Sequence, residues 1–166
     1  TEHLARLGYH VRAVDSQPEA VEFTRKRLRA AGAGSAAAVE LCDVLSIEEA
    51  PGSVDGIVLI GVVHSLPKQD AELLYERIKR WLARGGVLIM TAPLAAGALR
   101  PGPGADPDTS DEVCDMDERF AHVYEPGALA ACFPELEAVH VEEKIGINHP
   151  VCLFVARKRR RAELER

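Results

Sequence analysis

The sequence predicts an α/β protein with a Rossmann-like, mainly parallel sheet, helices on both faces and an antiparallel hairpin at its end. Strand and helix patterns alternate up to about residue 91, an order that requires crossovers between parallel strands. Residues 55–60, "DGIVLI", form a nearly continuous apolar run, which is typical of a parallel strand buried on both faces. Two closely spaced strand patterns near the end of the chain predict the hairpin.

The front of the chain predicts a helix, a strand and a longer helix. Residues 4–7 end a first helix, and residues 10–14 alternate as a strand that leads to Asp15. Ser16 is predicted to cap the long helix that follows, with Pro18 in its first turn. This order makes the long helix a crossover between two strands.

The middle of the chain repeats the pattern. A short strand ending near Asp43 precedes the apolar strand, and a glycine pair, Gly85-Gly86, is predicted to end a helix before the next strand. The predicted ranges are a strand at 37–41, a strand at 55–60, a helix at 69–83 and a strand at 87–91.

Residues 93–118 are rich in Pro and Gly and then acidic, which predicts a long loop or lid. Seven carboxylates lie between 106 and 118. A solvated lid is the simplest interpretation, and attraction of a cationic acceptor or chelation of a metal are the alternatives. The spacing of the ligand-type residues nearby matches no metal motif, so no metal site is predicted; these residues are Cys114, Asp115, Asp117 and His122.

The end of the chain predicts a helix at 126–132, strands at 136–142 and 151–156, and a turn at 146–150. The tail at 159–166 is charged and is predicted to be solvated. Residues 1–158 are therefore expected to form a single domain, with the loop at 93–118 as an insertion.

Composition limits the function classes. The formal net charge of −6 argues against nucleic acid or an anionic membrane as a partner. The four cysteines are widely spaced, which excludes a zinc ribbon and a redox pair and favours a reducing cytoplasm. No apolar stretch is long enough to predict a spanning helix.

Polar residues follow successive predicted strands, at the sheet edge where ligands bind in α/β proteins. Asp15 could accept hydrogen bonds from both hydroxyls of a ribose, or it could be a helix-capping or turn aspartate. Asp43 could accept a hydrogen bond from an adenine amine while the Val44 N–H reaches a ring nitrogen, or it could cap a turn. Gly61 allows a ligand to approach the backbone closely. His64, three residues later, could lie over the same sheet edge, or it could merely pack there.

Several stretches together resemble class I S-adenosylmethionine-dependent methyltransferases, with an ending similar to that of the tellurite-resistance type. These stretches are "GYHVRAVDSQPEAV", "VELCDV", "VDGIVLIGVVHSLP", "LARGGVLIMTAP", "VYEPGALAACFPELEAVHVEE" and "HPVCLFVARK". The resemblance implies that Asp15 and Ser16 hold the ribose of the cofactor, and that Asp43 lies beside the adenine. It also implies that the ring is lined by Val44 and Leu45, and that the cofactor and the acceptor are bordered by Gly61, Val62, Val63 and His64.

The family's first strand and its glycine-rich loop, which holds the methionine end of the cofactor, have no counterpart after Thr1. In the family this strand lies between the strands that end at Asp15 and at Gly61. We therefore expect the chain to be part of a longer gene product that supplies this strand.

The reaction implied by the resemblance is transfer of a methyl group from S-adenosylmethionine to a small-molecule acceptor by in-line displacement, in the full-length parent. His64 is the candidate general base if the acceptor must lose a proton; otherwise it packs or lines the pocket. His122 and Tyr124 could contact the acceptor, or they could be ordinary surface or hinge residues.

Two other functions are considered. An NAD(P)-dependent oxidoreductase also places an acid after its second strand, and Tyr75 and Lys79 have the Tyr-x-x-x-Lys spacing of short-chain dehydrogenases. We expect that pair to face solvent on a helix. The third possibility is a methyltransferase-like binding module without catalytic activity.

Overall fold

The computed structural model describes residues 1–94, 124–125, 127–145 and 150–160. The chain divides into two compact units, Thr1–Glu48 and Glu49–Arg166. Each unit combines parallel strands with a helix that connects them, so the predicted α/β class is confirmed.

The first unit is built around one parallel strand pair. Its elements are α1 (Glu2–Arg6), β1 (Val11–Asp15), α2 (Pro18–Ala30), β2 (Ala37–Leu41) and a 3₁₀ helix at Val44–Ser46. In the register of the pair, Val11 lies opposite Ala37 and Asp15 lies opposite Leu41. The core of the unit is small and aliphatic, consisting of Ala5, Leu28 and Ala33 with Val11, Ala31, Ala36, Ala37 and Val39 packed against them.

The start of α2 differs from the prediction. The N-cap is Gln17 rather than Ser16, and Pro18 is the first helical residue. The N–H of Gln17 donates a hydrogen bond to Oδ1 of Asp15 at 2.8 Å. Because Asp15 already accepts this hydrogen bond one residue before the helix, a capping hydroxyl at Ser16 is not needed.

The second unit contains a four-stranded mixed sheet in the order β3-β4-β6-β5. Its elements are β3 (Val54–Leu59), a 3₁₀ helix at Val63–Ser65, α3 (Lys68–Trp81), β4 (Leu82–Pro93), α4 (Ala128–Ala131), β5 (Leu136–Ile145) and β6 (Pro150–Lys158). β3 pairs with β4 in parallel, whereas β6 runs antiparallel to both β4 and β5. The predicted hairpin at the end of the chain is therefore confirmed.

The described strands form two sheets, β1-β2 in the first unit and β3-β4-β6-β5 in the second. In the ranges given above, β1 pairs only with β2, and β3 pairs only with β4. Each of these two strands thus has one edge to which no described strand is hydrogen bonded.

β3 is not buried on both faces as predicted. Leu59 is buried, but Val58 is 47% exposed and Ile60, just after the strand, is 59% exposed. Since neighbouring residues of a strand point to opposite faces, one face of β3 is covered and the other is open among the described residues. The apolar run identified a strand correctly but did not determine how many of its faces are covered.

α3 ends earlier and β4 begins earlier than predicted. α3 ends at Trp81, and β4 already begins at Leu82, so the glycine pair lies inside the strand. Nζ of Lys158 donates hydrogen bonds to the carbonyl oxygens of Lys79 and Leu82, at 2.6 and 2.7 Å, and so satisfies the end of the helix. A helix terminus capped from β6 does not need a glycine stop.

Gly86 is required by close backbone packing. A Cβ atom there would lie 2.9 Å from the carbonyl oxygen of Ala83 and 3.1 Å from that of Asp55, next to the start of β3. No helix in the described part of the chain is long and apolar enough to cross a membrane.

We expect the substitution Gly86→Ala to lower the free energy of unfolding of the second unit by about 1–3 kcal/mol, because the methyl group overpacks rigid backbone atoms. The measurement is urea unfolding followed by the fluorescence of Trp81, the only tryptophan of the chain, which is buried in this unit. Gly56→Ala is the matched control, since its nearest neighbour is the Val87 carbonyl oxygen at 3.9 Å. Equal stability of Gly86→Ala and the control would contradict this account.

Candidate functional site

The carboxyl ends of β1 and β2 bring two aspartates to one sheet edge. The ladder continues past the strands, because the N–H of Cys42 donates a hydrogen bond to the carbonyl oxygen of Asp15 at 3.0 Å. Asp43 is the next residue, and both aspartates are exposed. The structure thus places the two predicted acids of the first unit on the same edge.

Both aspartates make the same local hydrogen bond. Oδ1 of Asp15 accepts from the N–H of Gln17, and Oδ1 of Asp43 accepts from the N–H of Leu45, each at 2.8 Å. Each carboxylate is thereby fixed at the start of the helix or 3₁₀ turn that follows it. In the described part of the chain, Oδ2 of neither aspartate accepts a hydrogen bond, so one oxygen of each is uncommitted. Capping and ligand binding are therefore compatible roles.

The residues around Asp43 provide an apolar surface beside its carboxylate. Val44 and Leu45 are half-buried and form the first turn of the 3₁₀ helix. The N–H of Val44 is at the start of that turn, where backbone donors have no partner within the helix. Ser16 is exposed one residue after Asp15.

In the second unit, a hydrogen bond joins the carboxyl ends of β3 and β4. The N–H of Gly61 donates to Oγ1 of Thr91 at 3.2 Å. Gly61 has φ +68°, and a Cβ there would lie 3.6 Å from Cε1 of His64, so a side chain would be strained and would contact the imidazole. Thr91 was not identified from the sequence, although a polar residue at the end of the neighbouring parallel strand is the signal that could have indicated it.

The segment after Gly61 is only partly accessible. Val63 is completely buried, whereas Val62 and His64 are half-buried. No part of Val63, backbone included, is accessible to a ligand in this structure, and its predicted place beside the cofactor stays a prediction. The roles predicted for Val62 and His64 stay predictions.

A cleft lies between α3 and the residues around α4. The N–H of Tyr124 donates to the carbonyl oxygen of Pro93 at 3.0 Å, which holds Tyr124 beside the end of β4. The hydroxyl groups of Tyr75 and Tyr124 are hydrogen bonded to each other. The cleft has a volume of about 230 Å³ and is lined by Lys68, Ala71, Glu72, Tyr75, Tyr124, Glu125, Ala128 and Cys132.

Burial is the main cause of the raised pKa values of Tyr75, Tyr124 and Cys132. It raises the pKa of Tyr124 to about 12. It also raises the pKa of Tyr75, as does the hydrogen bond to Tyr124, and it raises the pKa of the Cys132 thiol. Both phenols are therefore protonated at neutral pH and act as hydrogen-bonding groups rather than as bases.

The expectation that Tyr75 and Lys79 face solvent is wrong for the tyrosine, and the side chain of Lys79 is only 17% exposed. Tyr75 is only 4% exposed, because its ring packs on Phe133 with the centroids 5.0 Å apart. Nζ of Lys79 lies 2.6 Å from Oε1 of Glu76. A catalytic tyrosine of a short-chain dehydrogenase must ionise readily, and the surroundings of Tyr75 oppose ionisation.

Some predicted residues lie outside the described residues. These are His122, the acidic loop at 106–118, and the ligand-type residues Cys114, Asp115 and Asp117. Among the residues that the structure describes, no group of three or more His, Cys, Asp or Glu could hold a metal ion. The absence of a metal site from the whole chain stays a prediction.

Comparison with known proteins adds a family and a set of related folds. A family model described as "Methyltransferase domain" matches residues 1–86, which is more than half of the 166 residues. No curated protein sequence matches the chain.

Solved structures with a similar fold include TehB from Haemophilus influenzae, which is 18% identical with a TM-score of 0.73 over 95% of this chain and 52% of that one. A S-adenosylmethionine-dependent methyltransferase from Methanosarcina mazei is 16% identical with a TM-score of 0.74, over 95% of this chain and 86% of its own. The N-methyltransferase NodS from Bradyrhizobium japonicum, solved with S-adenosylhomocysteine, is 16% identical with a TM-score of 0.62, over 89% of this chain and 65% of its own. The chain thus spans about half the length of TehB.

The tyrosine pair predicts a loss of stability at alkaline pH. The pKa of Tyr124 is raised in the folded protein from 10.0 to about 12, so the unfolded chain releases this proton first. The contribution of Tyr124 to stability is therefore complete below about pH 10 and is lost as the pH rises towards about 12. Urea unfolding followed by Trp81 fluorescence at a series of pH values measures this slope.

Cys152, whose pKa burial raises from 9.0 to about 11, adds a slope of the same sign that begins about one pH unit lower. The double variant Tyr75→Phe/Tyr124→Phe should keep this cysteine contribution and lose most of the slope above about pH 10. Tyr9→Phe, at an exposed tyrosine, is the control and should leave the slope unchanged. An unchanged slope in the double variant would rule out the tyrosine pair as its source.

Proposed function

Because the chain belongs to the methyltransferase domain family, we propose that it transfers the methyl group of S-adenosylmethionine to a small-molecule acceptor. The observation that carries the proposal is the placement of Asp15 and Asp43 on one sheet edge, each with one carboxylate oxygen committed to its own turn and the other free for a ligand. Carboxylates in fixed orientations are well suited to recognise the hydroxyl and amine groups of a nucleoside.

The residues of the first unit fit the adenosine part of the cofactor. Oδ2 of Asp15 would accept hydrogen bonds from the ribose hydroxyls, with Ser16 beside it. Oδ2 of Asp43 would accept from the exocyclic amine of adenine, and the N–H of Val44 is available for a ring nitrogen. The half-buried side chains of Val44 and Leu45 offer the apolar surface that an aromatic ring needs.

The residues of the second unit are proposed to border the cofactor and the acceptor. Gly61 leaves its backbone open to close approach, and the half-buried Val62 follows it, with Val63 packed beneath them. His64 would accept the proton of an acceptor that must lose one, on an imidazole nitrogen. His122 and Tyr124 are proposed to contact the acceptor.

The cofactor, when bound, supplies an activated methyl group on a sulfonium. The protein has little covalent chemistry to perform, so its residues mainly align the acceptor with the methyl group and exclude water. Small-molecule acceptors are also found among proteins of similar fold, such as the 1,6-didemethyltoxoflavin N1-methyltransferase from Burkholderia thailandensis, which is 17% identical.

A further strand and a glycine-rich loop are proposed to act with these residues in a longer parent protein. The resemblance places this strand before residue 1, and the edges of β1 and β3 that pair with no described strand support the proposal. Buried backbone N–H and C=O groups at such edges are costly without partners. The methionine end of the cofactor would be held by the loop.

The competing oxidoreductase function has less support. The buried Tyr75, bonded to Tyr124, lacks the readily ionised hydroxyl that an NAD(P)-dependent oxidoreductase of the short-chain type needs. A binding module without catalytic activity would use the same carboxylate oxygens of Asp15 and Asp43 to hold a ligand, and methyl transfer by the extended protein would exclude it.

The substitution Asp15→Asn separates ribose binding from the turn that precedes α2. The side-chain oxygen of asparagine accepts the same hydrogen bond from the N–H of Gln17, so the stability should be nearly unchanged. Loss of the negative charge should weaken the binding of S-adenosylhomocysteine by about tenfold, the cost of a charge-assisted hydrogen bond. Isothermal titration calorimetry measures the affinity.

The titration is carried out on this chain and on a version extended by the residues encoded before Thr1. Glu19→Gln, an exposed carboxylate in the first turn of α2, is the control and should bind normally. Binding of NAD(P) instead of S-adenosylhomocysteine by both versions would overturn the proposed function. Equal affinity of Asp15→Asn and the unsubstituted protein would remove Asp15 from the site.

A further inference from the structure

The cleft of about 230 Å³ between α3 and the residues around α4, called here the tyrosine cleft, has lining residues whose chemistry selects a ligand. It is formed within the second unit, and its residues are Lys68, Ala71, Glu72, Tyr75, Tyr124, Glu125, Ala128 and Cys132. Its volume is below the range of drug-sized pockets, which indicates a small ligand.

The inner wall of the tyrosine cleft is buried and carries a pair of hydroxyl groups. Tyr75 and Tyr124 are 4% and 3% exposed, and their hydroxyl groups are bonded to each other. The ring of Tyr75 meets that of Phe133 edge-on at 5.0 Å, and Phe133 stacks on Phe154 at 5.9 Å. One hydroxyl of the pair donates to the other, and the oxygen of the donating phenol keeps its acceptor capacity, so this wall can accept a hydrogen bond from a ligand.

The mouth of the tyrosine cleft is negatively charged. Glu72 and Glu125 are exposed carboxylates that line it, and Lys68 is the one cation in the lining. At neutral pH two negative charges and one positive charge leave a net charge of −1 at the mouth. Glu72 and Lys68 are one turn apart on α3, so the lysine offsets the charge of that glutamate. Glu125 is a second carboxylate on the other side of the cleft.

We propose that the tyrosine cleft binds a small organic cation of the ammonium type, with Glu72 and Glu125 balancing its charge and the hydroxyl pair of Tyr75 and Tyr124 accepting one of its N–H groups. An ammonium group has only donors, and both carboxylates and the phenol pair supply acceptors. The identification of this cation with the methyl acceptor, or with part of it, rests on the proposed function. The binding itself does not.

An anion fits the cleft poorly. Among the residues that line the cleft, Lys68 would attract it and the two carboxylates at the mouth would repel it. A neutral ligand of the same size would gain the apolar contacts with Ala71 and Ala128, but it would gain no attraction from the carboxylates at the mouth. The lining therefore discriminates by charge more than by shape.

The test uses three probes of nearly equal size and different charge, which are butylammonium, butyrate and 1-butanol. Each is titrated into the chain without S-adenosylmethionine, and two-dimensional NMR follows the signals of the residues that line the cleft. We expect chemical-shift changes that saturate with butylammonium, and no binding of comparable affinity by butyrate or 1-butanol. Glu72→Gln and Glu125→Gln should each weaken butylammonium binding by about tenfold.

Glu76→Gln is the matched control, because Glu76 is one turn further along α3, pairs with Lys79 and does not line the cleft. It should leave the affinity unchanged, and Lys68→Gln should raise it. Binding of butyrate, equal binding of all three probes, or full butylammonium affinity in both glutamine variants would overturn the proposal. Because Asp15→Asn should not change butylammonium binding, failure of the cleft and failure of the proposed function are distinguished.

Discussion

Parallel pairing of neighbouring strands is the constraint on which the candidate site depends. In a parallel pair both carboxyl ends lie at the same edge, so the residues that follow the two strands become neighbours although they are far apart in sequence. The hydrogen bond from Cys42 to Asp15 extends this pairing by one residue in the first unit and brings Asp43 beside the end of β1. The hydrogen bond from Gly61 to Thr91 joins the strand ends of the second unit in the same way.

Capping and ligand binding, which were alternatives at the level of sequence, use different oxygens of the same side chain. An aspartate that accepts a hydrogen bond from the residue two positions later has its carboxylate fixed by its own turn. A fixed acceptor loses less conformational entropy when a ligand binds than a mobile one does. The hydrogen bond that stabilises the start of α2 can therefore also prepare Asp15 for a ribose, and the same holds for Asp43.

The sequence predicted the elements that depend on local pattern and missed those that depend on distant partners. Helix and strand periodicity identified β2 at its observed bounds and the hairpin of β5 and β6. The exposure of Val58 was not predictable, because a strand's composition does not specify what covers each face. Tyr75 was missed because its hydrogen-bond partner, Tyr124, is 49 residues away and belongs to no strong pattern.

The aromatic core of the second unit links packing to the chemistry of the cleft. Phe133 contacts Tyr75 on one side and Phe154 of β6 on the other, so the sheet supports the phenol through an aromatic stack. Burial in this stack keeps both hydroxyl groups protonated, and protonated phenols can hold a ligand without acting as bases. A proton acceptor for methyl transfer must therefore come from another group, and the candidate that we propose is His64, half-buried in the 3₁₀ helix that follows β3.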